Sequence, residues 1–444
     1  MLRYFNLKTM VILLLCLAVQ TISFATEINS PKTRKKDKIQ TKADTEEEKL
    51  IALLKEFSRY ANKVSCDWKI PGMTIAIVQG EELIYARGFG ERNDYYGPAN
   101  PDTLFNIASL SKSFTATLLA MQIDEGKYQW NTKVRDLYPD FKLYTPELTN
   151  QFEVADLISH RSGLPENAAN DLFSFGYSAD HMIHSLRYIK PVAPFRSTFA
   201  YQNLFLILAQ KIIEKTDGQS YSEQLRKKIL WPLKMKTSNV APYEELTQLT
   251  NVALPHVYYQ GKNYPYQPPC DKKENTNENV GVASGGINSC AENLAKWLIF
   301  NMNDGKMKGV QVVSKKNMDF IHSPQTIIKK SKEGKTLEAY GEGWFIDKSE
   351  YQPHDVIYHA GGNPGYHAIM AYIPDKKIGI VVLTNQYPNK VPEILYKRFF
   401  DMYLHRFPYK DWNTPYLQER EKTDKEEQEN ITQHSSYYSI CRRL

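Results

Sequence analysis

Hydrophobic positions recur along the chain with two different periods. Leu50, Leu53, Leu54 and Phe57 fall on one face of a helix, and Glu46, Glu47 and Glu48 suit its positive first turn. Beyond Pro71 and Gly72, apolar runs at 73–78 and 83–89, joined around Gly80, predict a β-hairpin. Residues 105–121 carry the pattern of a buried helix, polar at its start (Asn106, Ser109, Ser111) and apolar in its body (Phe114, Leu118, Leu119). Helical patterns then dominate from 122 to 330, at 154–159, 204–216, 221–230 and 291–303. Loops rich in Pro, Asn and Tyr separate them, above all 255–280. Strand character returns at 341–346, 356–359, 366–373 and 378–384, with a turn at 374–377 and a closing helix at 392–404. This order predicts an α+β fold in which early and late strands complete one antiparallel sheet flanked by helices. The main domain is expected at 48–410. Within it, 48–120 and 335–410 form the α/β part, and 121–334 a large, mostly helical insertion.

The ends read differently. Residues 1–25 predict a secretory signal: Arg3 and Lys8 give a positive flank, 10–19 is an apolar run too short to span a bilayer comfortably, and Ser23 and Ala25 are small. A retained inner-membrane anchor is the alternative. Lipidation at Cys16 is disfavoured by the large Leu15 before it. Residues 26–47 are expected to be a disordered linker, basic and then acidic, and 411–444 a loosely ordered charged tail.

Composition narrows the class. The 444 residues are 42% hydrophobic and 24% charged, which suits a globular chain and not a multispan transporter. A formal charge of +6 over this length does not predict nucleic-acid binding. Five cysteines exclude a cysteine-framework fold. A secreted chain is able to form disulfides, but sequence does not pair Cys66, Cys270, Cys290 and Cys441. No HExxH or CxxC motif, Walker or dinucleotide glycine spacing, or GxSxG elbow is present, so no metal, cofactor or nucleotide is expected.

The sharpest local feature is Ser109 with Lys112 three residues on, a spacing that places both on one helical face. A serine hydroxyl attacks well only when a neighbour takes its proton, and a lysine does so if burial lowers its pKa. Phe105, Ile107, Ala108, Leu110 and Phe114 supply a dry setting.

With that nucleophile helix, 105–112 (FNIASLSK), the sequence resembles the serine β-lactamase/penicillin-binding-protein superfamily in its class C-like branch. The resemblance covers roughly 48–405. It is also carried by Ile70, Pro71 and Gly72 with the hairpin to Gly90, and by 156–165 (DLISHRSGLP), 201–203 (YQN), 283–287 (ASGGI), 340–344 (YGEGW) and 359–365 (HAGGNPG). These stretches occur in the family's order. Tyr-x-Asn also occurs at Tyr60 and Tyr387, but only Tyr201 holds the right place in that order.

The resemblance implies a set of roles. Ser109 is the nucleophile and Lys112 its proton acceptor. Tyr201 relays a proton to the leaving group, with its pKa lowered by Lys112. Asn203, His359 and Gly361 bind substrate, and the N–H groups of Ser109 and Gly362 form the oxyanion hole. His359 stands where many members that act on carboxylate-bearing substrates have Lys, which lowers the expectation of efficient β-lactam hydrolysis. His160 is read as a structural turn or cap residue. The expected activity is acyl-enzyme hydrolysis of an amide or ester, of the D-alanyl-D-alanine carboxypeptidase or esterase type. A class C-like β-lactamase and a non-catalytic envelope-binding protein are the alternatives. The expected partner is a small-molecule or peptide substrate (a peptidoglycan stem peptide, a β-lactam or an ester), with transient envelope association and a periplasmic or secreted location.

Overall fold

The computed structural model describes residues 45–93, 97–266 and 280–441, without the side chains of Ser174 and of residues from 429 on. The signal-like segment, nearly all of the linker, and Cys16 and Cys270 lie outside the described residues. Among the described residues, those from Leu50 onward form one compact unit.

The elements that position the site are helices α1 (Glu46–Asp67), α2 (Ser111–Asp124), α3 (Leu204–Asp217), α4 (Ala291–Met302), α5 (Val391–Tyr403) and α6 (Thr414–Cys441), and strands β1 (Gly72–Gln79), β2 (Glu82–Asn93), β3 (Thr326–Lys330), β4 (Thr336–Tyr340), β5 (Phe345–Asp347), β6 (Val356–Asn363), β7 (Tyr366–Ile373) and β8 (Ile378–Thr384). The strands run β3-β4-β5-β6-β7-β8-β1-β2, and a two-residue strand, Gly97–Pro98, completes a nine-stranded sheet. Every pairing is antiparallel. Central strand β8, IGIVVLT, is buried throughout, so it reads as a continuous apolar run and not as an alternating one.

Alternate residues of β7 and β8 feed two cores. On one face Ile369, Ala371, Ile380 and Val382 pack with Phe57, Val64, Ile394 and Phe399 of α1 and α5. On the other, Ala368, Met370, Val381 and Leu383 pack with Phe114, Leu118, Leu208 and Leu298 of α2, α3 and α4. The helical insertion therefore shares its core with the sheet.

Three local expectations are corrected. Residues 341–344 turn between β4 and β5, with Gly343 at φ +77° and the Gly341 N–H donating to the Trp344 carbonyl, so most of the strand expected at 341–346 is the turn that joins two strands. Residues 108–110 form a 3₁₀ turn before α2, so Ser109 precedes the α-helix. The tail expected to be loose is helical over Thr414–Cys441: Trp412 and Asn413 are buried, and Arg420 lies over the rings of Trp68 and Tyr258.

Candidate active site

The turn that presents Ser109 is held from several sides. The Ala108 N–H donates to Asn106 Oδ1 and the Ile107 N–H to the Ile287 carbonyl. Ala108 has φ +47°, a region costly for a residue with a Cβ and found where surrounding structure over-determines the backbone. Strand β6 presses on the same turn. A Cβ at Gly361 would lie 2.7 Å from the Ile107 carbonyl oxygen and 2.8 Å from the Ser109 nitrogen, so only glycine allows this approach.

Lys112 is fully buried, and its Nζ lies 3.0 Å from Ser109 Oγ. It donates to the Ser284 carbonyl at 2.7 Å, and no ion pair is formed by Lys112 among the described residues. Burial without a counter-charge drives its pKa well below the ordinary lysine value. The neutral amine is able to accept the hydroxyl proton of Ser109.

Tyr201 lines the same cavity as Ser109, and Lys112 Nζ sits 4.9 Å from its ring centroid. The tyrosine was expected to be lowered by Lys112. Instead burial raises it, and the neighbouring Ser109 offsets this only in part. One dry pocket thus disfavours the charged forms of both the amine and the phenol.

His359 is 1% exposed on β6. Its Nδ1 lies 2.6 Å from the Ala360 carbonyl, which can only accept, so Nδ1 carries the proton and Nε2 accepts from the Tyr340 hydroxyl at 2.9 Å. Burial first, then Lys112, push its pKa down to about 3, against a small opposing effect of the Ala360 carbonyl. The ring is neutral at pH 7, and both nitrogens are engaged within the protein.

Gly362 pairs with His367 across β6 and β7, one step inside the Asn363–Tyr366 pair that closes the two-residue turn. With that closing pair bonded, alternation along an antiparallel ladder directs the Gly362 N–H away from β7. Strand β5 ends its pairing at Tyr358, so this edge of β6 is left open beside the nucleophile turn. The Gly362 N–H is thereby left on an open strand edge in the same cavity as Ser109.

A cavity of about 330 Å³ joins Ser109, Tyr201, His359, Gly361 and Gly362 with Phe345, His367, Tyr387, Asn389 and Lys390. Asn203 is not among its lining residues, and its amide donates to Asn170 Oδ1 at 3.4 Å. Two participants went unread in the sequence, the Ser284 carbonyl and the Tyr340 hydroxyl. Both lie in glycine-rich stretches noticed for their glycines. Among the described residues there is no group of three or more His, Cys, Asp or Glu able to hold a metal. No described helix is long and apolar enough to cross a membrane. Cys66 and Cys290 are free thiols.

Known proteins share this arrangement of chain. The protein is 29% identical over 395 residues to "Unguisins hydrolase ungD'" of Aspergillus campestris, covering 85% of this chain and 71% of that one. It is 24% identical over 340 residues to "Protein flp" of Staphylococcus aureus, covering 73% of this chain and 62% of that one. Among solved structures, the octameric penicillin-binding protein homologue from Pyrococcus abyssi superimposes with a TM-score of 0.68 at 28% identity, over 81% of this chain and 79% of that one. A class C beta lactamase from Rhodobacter sphaeroides shares the fold, with a TM-score of 0.63 at 19% identity over 79% of this chain and 99% of that one. The sequence model described as Beta-lactamase matches residues 60–398, from α1 into α5 and through every element around Ser109, and the chain belongs to that family.

Proposed function

We propose that the protein is a serine hydrolase working through an acyl-enzyme on Ser109, of the D-alanyl peptide carboxypeptidase or esterase type. The observation that carries this reading is the buried Lys112 amine, without a counter-ion, 3.0 Å from Ser109 Oγ. Ser109 attacks a carbonyl carbon while its proton passes to the Lys112 nitrogen. The carbonyl oxygen gains the negative charge and faces the N–H groups of Ser109 and Gly362. Collapse breaks the bond to the leaving group, which takes the Tyr201 hydroxyl proton, and Lys112 returns a proton to Tyr201. Water then repeats the sequence on the acyl-enzyme and frees the acid. The neutral, internally satisfied His359 offers no fixed charge to a substrate carboxylate, which within this reading favours the esterase type, since β-lactams and D-alanyl-D-alanine peptides both bear a carboxylate. The name of the fungal relative, a hydrolase of unguisins, is in keeping with amide or ester cleavage. Residues 1–25 support export; N-terminal sequencing of the mature protein tests this.

The central test is covalent labelling. A fluorophosphonate probe should add one adduct to Ser109, read by intact mass, and S109A should take none. Rates on a nitrophenyl ester, a D-alanyl-D-alanine peptide and a chromogenic cephalosporin then rank the substrate classes. An unlabelled Ser109 with no turnover of any of the three would favour a binding protein instead.

A further inference from the structure

The stretch 156–165 contributes no atom to the reaction described above, yet it is built around the relay tyrosine. His160 is 1% exposed and held at φ +55°. Its carbonyl accepts from the Ala200 N–H at 2.9 Å, and its Nδ1 accepts from the Gln202 N–H at 3.1 Å. One residue thus grips the backbone immediately before and after Tyr201. Its ring also lies against the Tyr201 ring, centroids 4.3 Å apart, and against Tyr340 at 4.7 Å. The Tyr201 carbonyl accepts from the Asn167 N–H at 2.8 Å, and the Gln202 amide donates to the Pro165 carbonyl. The turn that carries His160 is itself fixed. Buried Asp156 takes Arg161 at 2.7 Å and Arg196 at 2.6 Å, and the Arg196 N–H donates to the Arg161 carbonyl at 2.8 Å.

We propose that His160 is a positioning residue for Tyr201, its Nδ1 acceptor and ring face aiming the phenol at Ser109. This rests on the hydrolase reading above. A backbone N–H can only donate, so the Nδ1 bond requires an imidazole unprotonated at that nitrogen. Burial is the main cause that pushes its pKa well below the ordinary histidine value. Because His160 acts through Tyr201, its loss slows the steps that need the tyrosine hydroxyl and spares substrate binding.

The test is a double-mutant cycle on a nitrophenyl ester, with fluorophosphonate labelling and thermal melts beside it. H160A should lower kcat ten- to a hundredfold with KM within about threefold. H160N, which offers an amide oxygen near the position of Nδ1 and tolerates positive φ, should recover most of the loss. In a Y201F background H160A should have little further effect. Equal losses in the two backgrounds, or equal losses for H160A and H160N, would overturn the proposal. If H160A does not fold, H160N alone decides: a folded H160N with kcat reduced as far as that of Y201F counts against it. An unmodified protein whose Ser109 does not label would instead bring down the hydrolase reading itself.

Discussion

Gly361 offers the most quantitative test of the oxyanion geometry. Adding one methyl group there, Gly361→Ala, sets a carbon 2.7 Å from the Ile107 oxygen and 2.8 Å from the Ser109 nitrogen. Ordinary contact begins at 3.4 Å, so β6 and the nucleophile turn must part by about 0.6–0.7 Å. Neither side yields readily, since both are main chain and Ala108 is already constrained at φ +47°. Oxyanion donors work over a window of only ~0.4 Å, and losing one costs about 10²–10³ in kcat. The overpacking itself costs about 1–3 kcal/mol of stability. Gly362→Ala provides the contrast. Its Cβ would meet the Tyr387 ring at 2.6 Å, but that side chain is 40% exposed and free to swing aside. Burst and steady-state kinetics on a nitrophenyl ester should therefore show a loss of about a hundredfold for G361A and less than tenfold for G362A. Thermal melts should confirm that both are folded. A G361A enzyme within twofold of the unmodified protein, or less impaired than G362A, would refute the placement of the oxyanion hole.

Replacing Lys112 with Met should abolish labelling of Ser109. It should also raise the melting temperature at pH 7, because the unfolded lysine binds a proton that the buried one does not. Native stability therefore rises with pH between the depressed folded pKa and the unfolded value near 10.5, and the advantage of K112M should fade toward pH 11; melts across that range check the sign. His359→Lys should raise the rate on a carboxylate-bearing cephalosporin relative to a neutral ester, and an unchanged ranking would speak against a specificity role for this position. Asp156→Ala leaves Arg161 and Arg196 without their shared partner, though Arg196 keeps Glu153 and Arg161 the Gln325 carbonyl, and should cost about 1–3 kcal/mol in denaturant melts. Acidification should destabilise the fold from about pH 6.5 downward, since His359 with a pKa of about 3 and His322 with one of about 4 are buried neutral and must charge on unfolding; a flat melting temperature down to pH 4 would contradict this.

Much of this molecule is legible in its sequence, and the limits have identifiable causes. The strands β1, β7 and β8 announce themselves as continuous apolar runs because both their faces are buried, and the α4 and α5 stripes because burial there repeats with the helical period. The turn at 341–344 was misread as strand because Trp344 is apolar and buried inside a turn. The long C-terminal helix was missed because its composition is charged and carries no apolar stripe.

Seven motifs in family order were enough to point to Ser109, Lys112, Tyr201, Gly361 and Gly362 as one site. Their chemical state was not readable there. Whether Lys112 is charged depends on the absence of a neighbouring acid and on total burial, to which residues as distant as Ser284 and Gly343 contribute. Whether His359 offers a hydrogen bond to substrate depends on Tyr340 already holding its Nε2. That His160 clasps the chain on both sides of Tyr201 is a contact across forty-two residues. Linear spacing reports which side chains share a face of one element. Protonation, tautomer and aim are properties of a three-dimensional environment, and only the packed fold decides them.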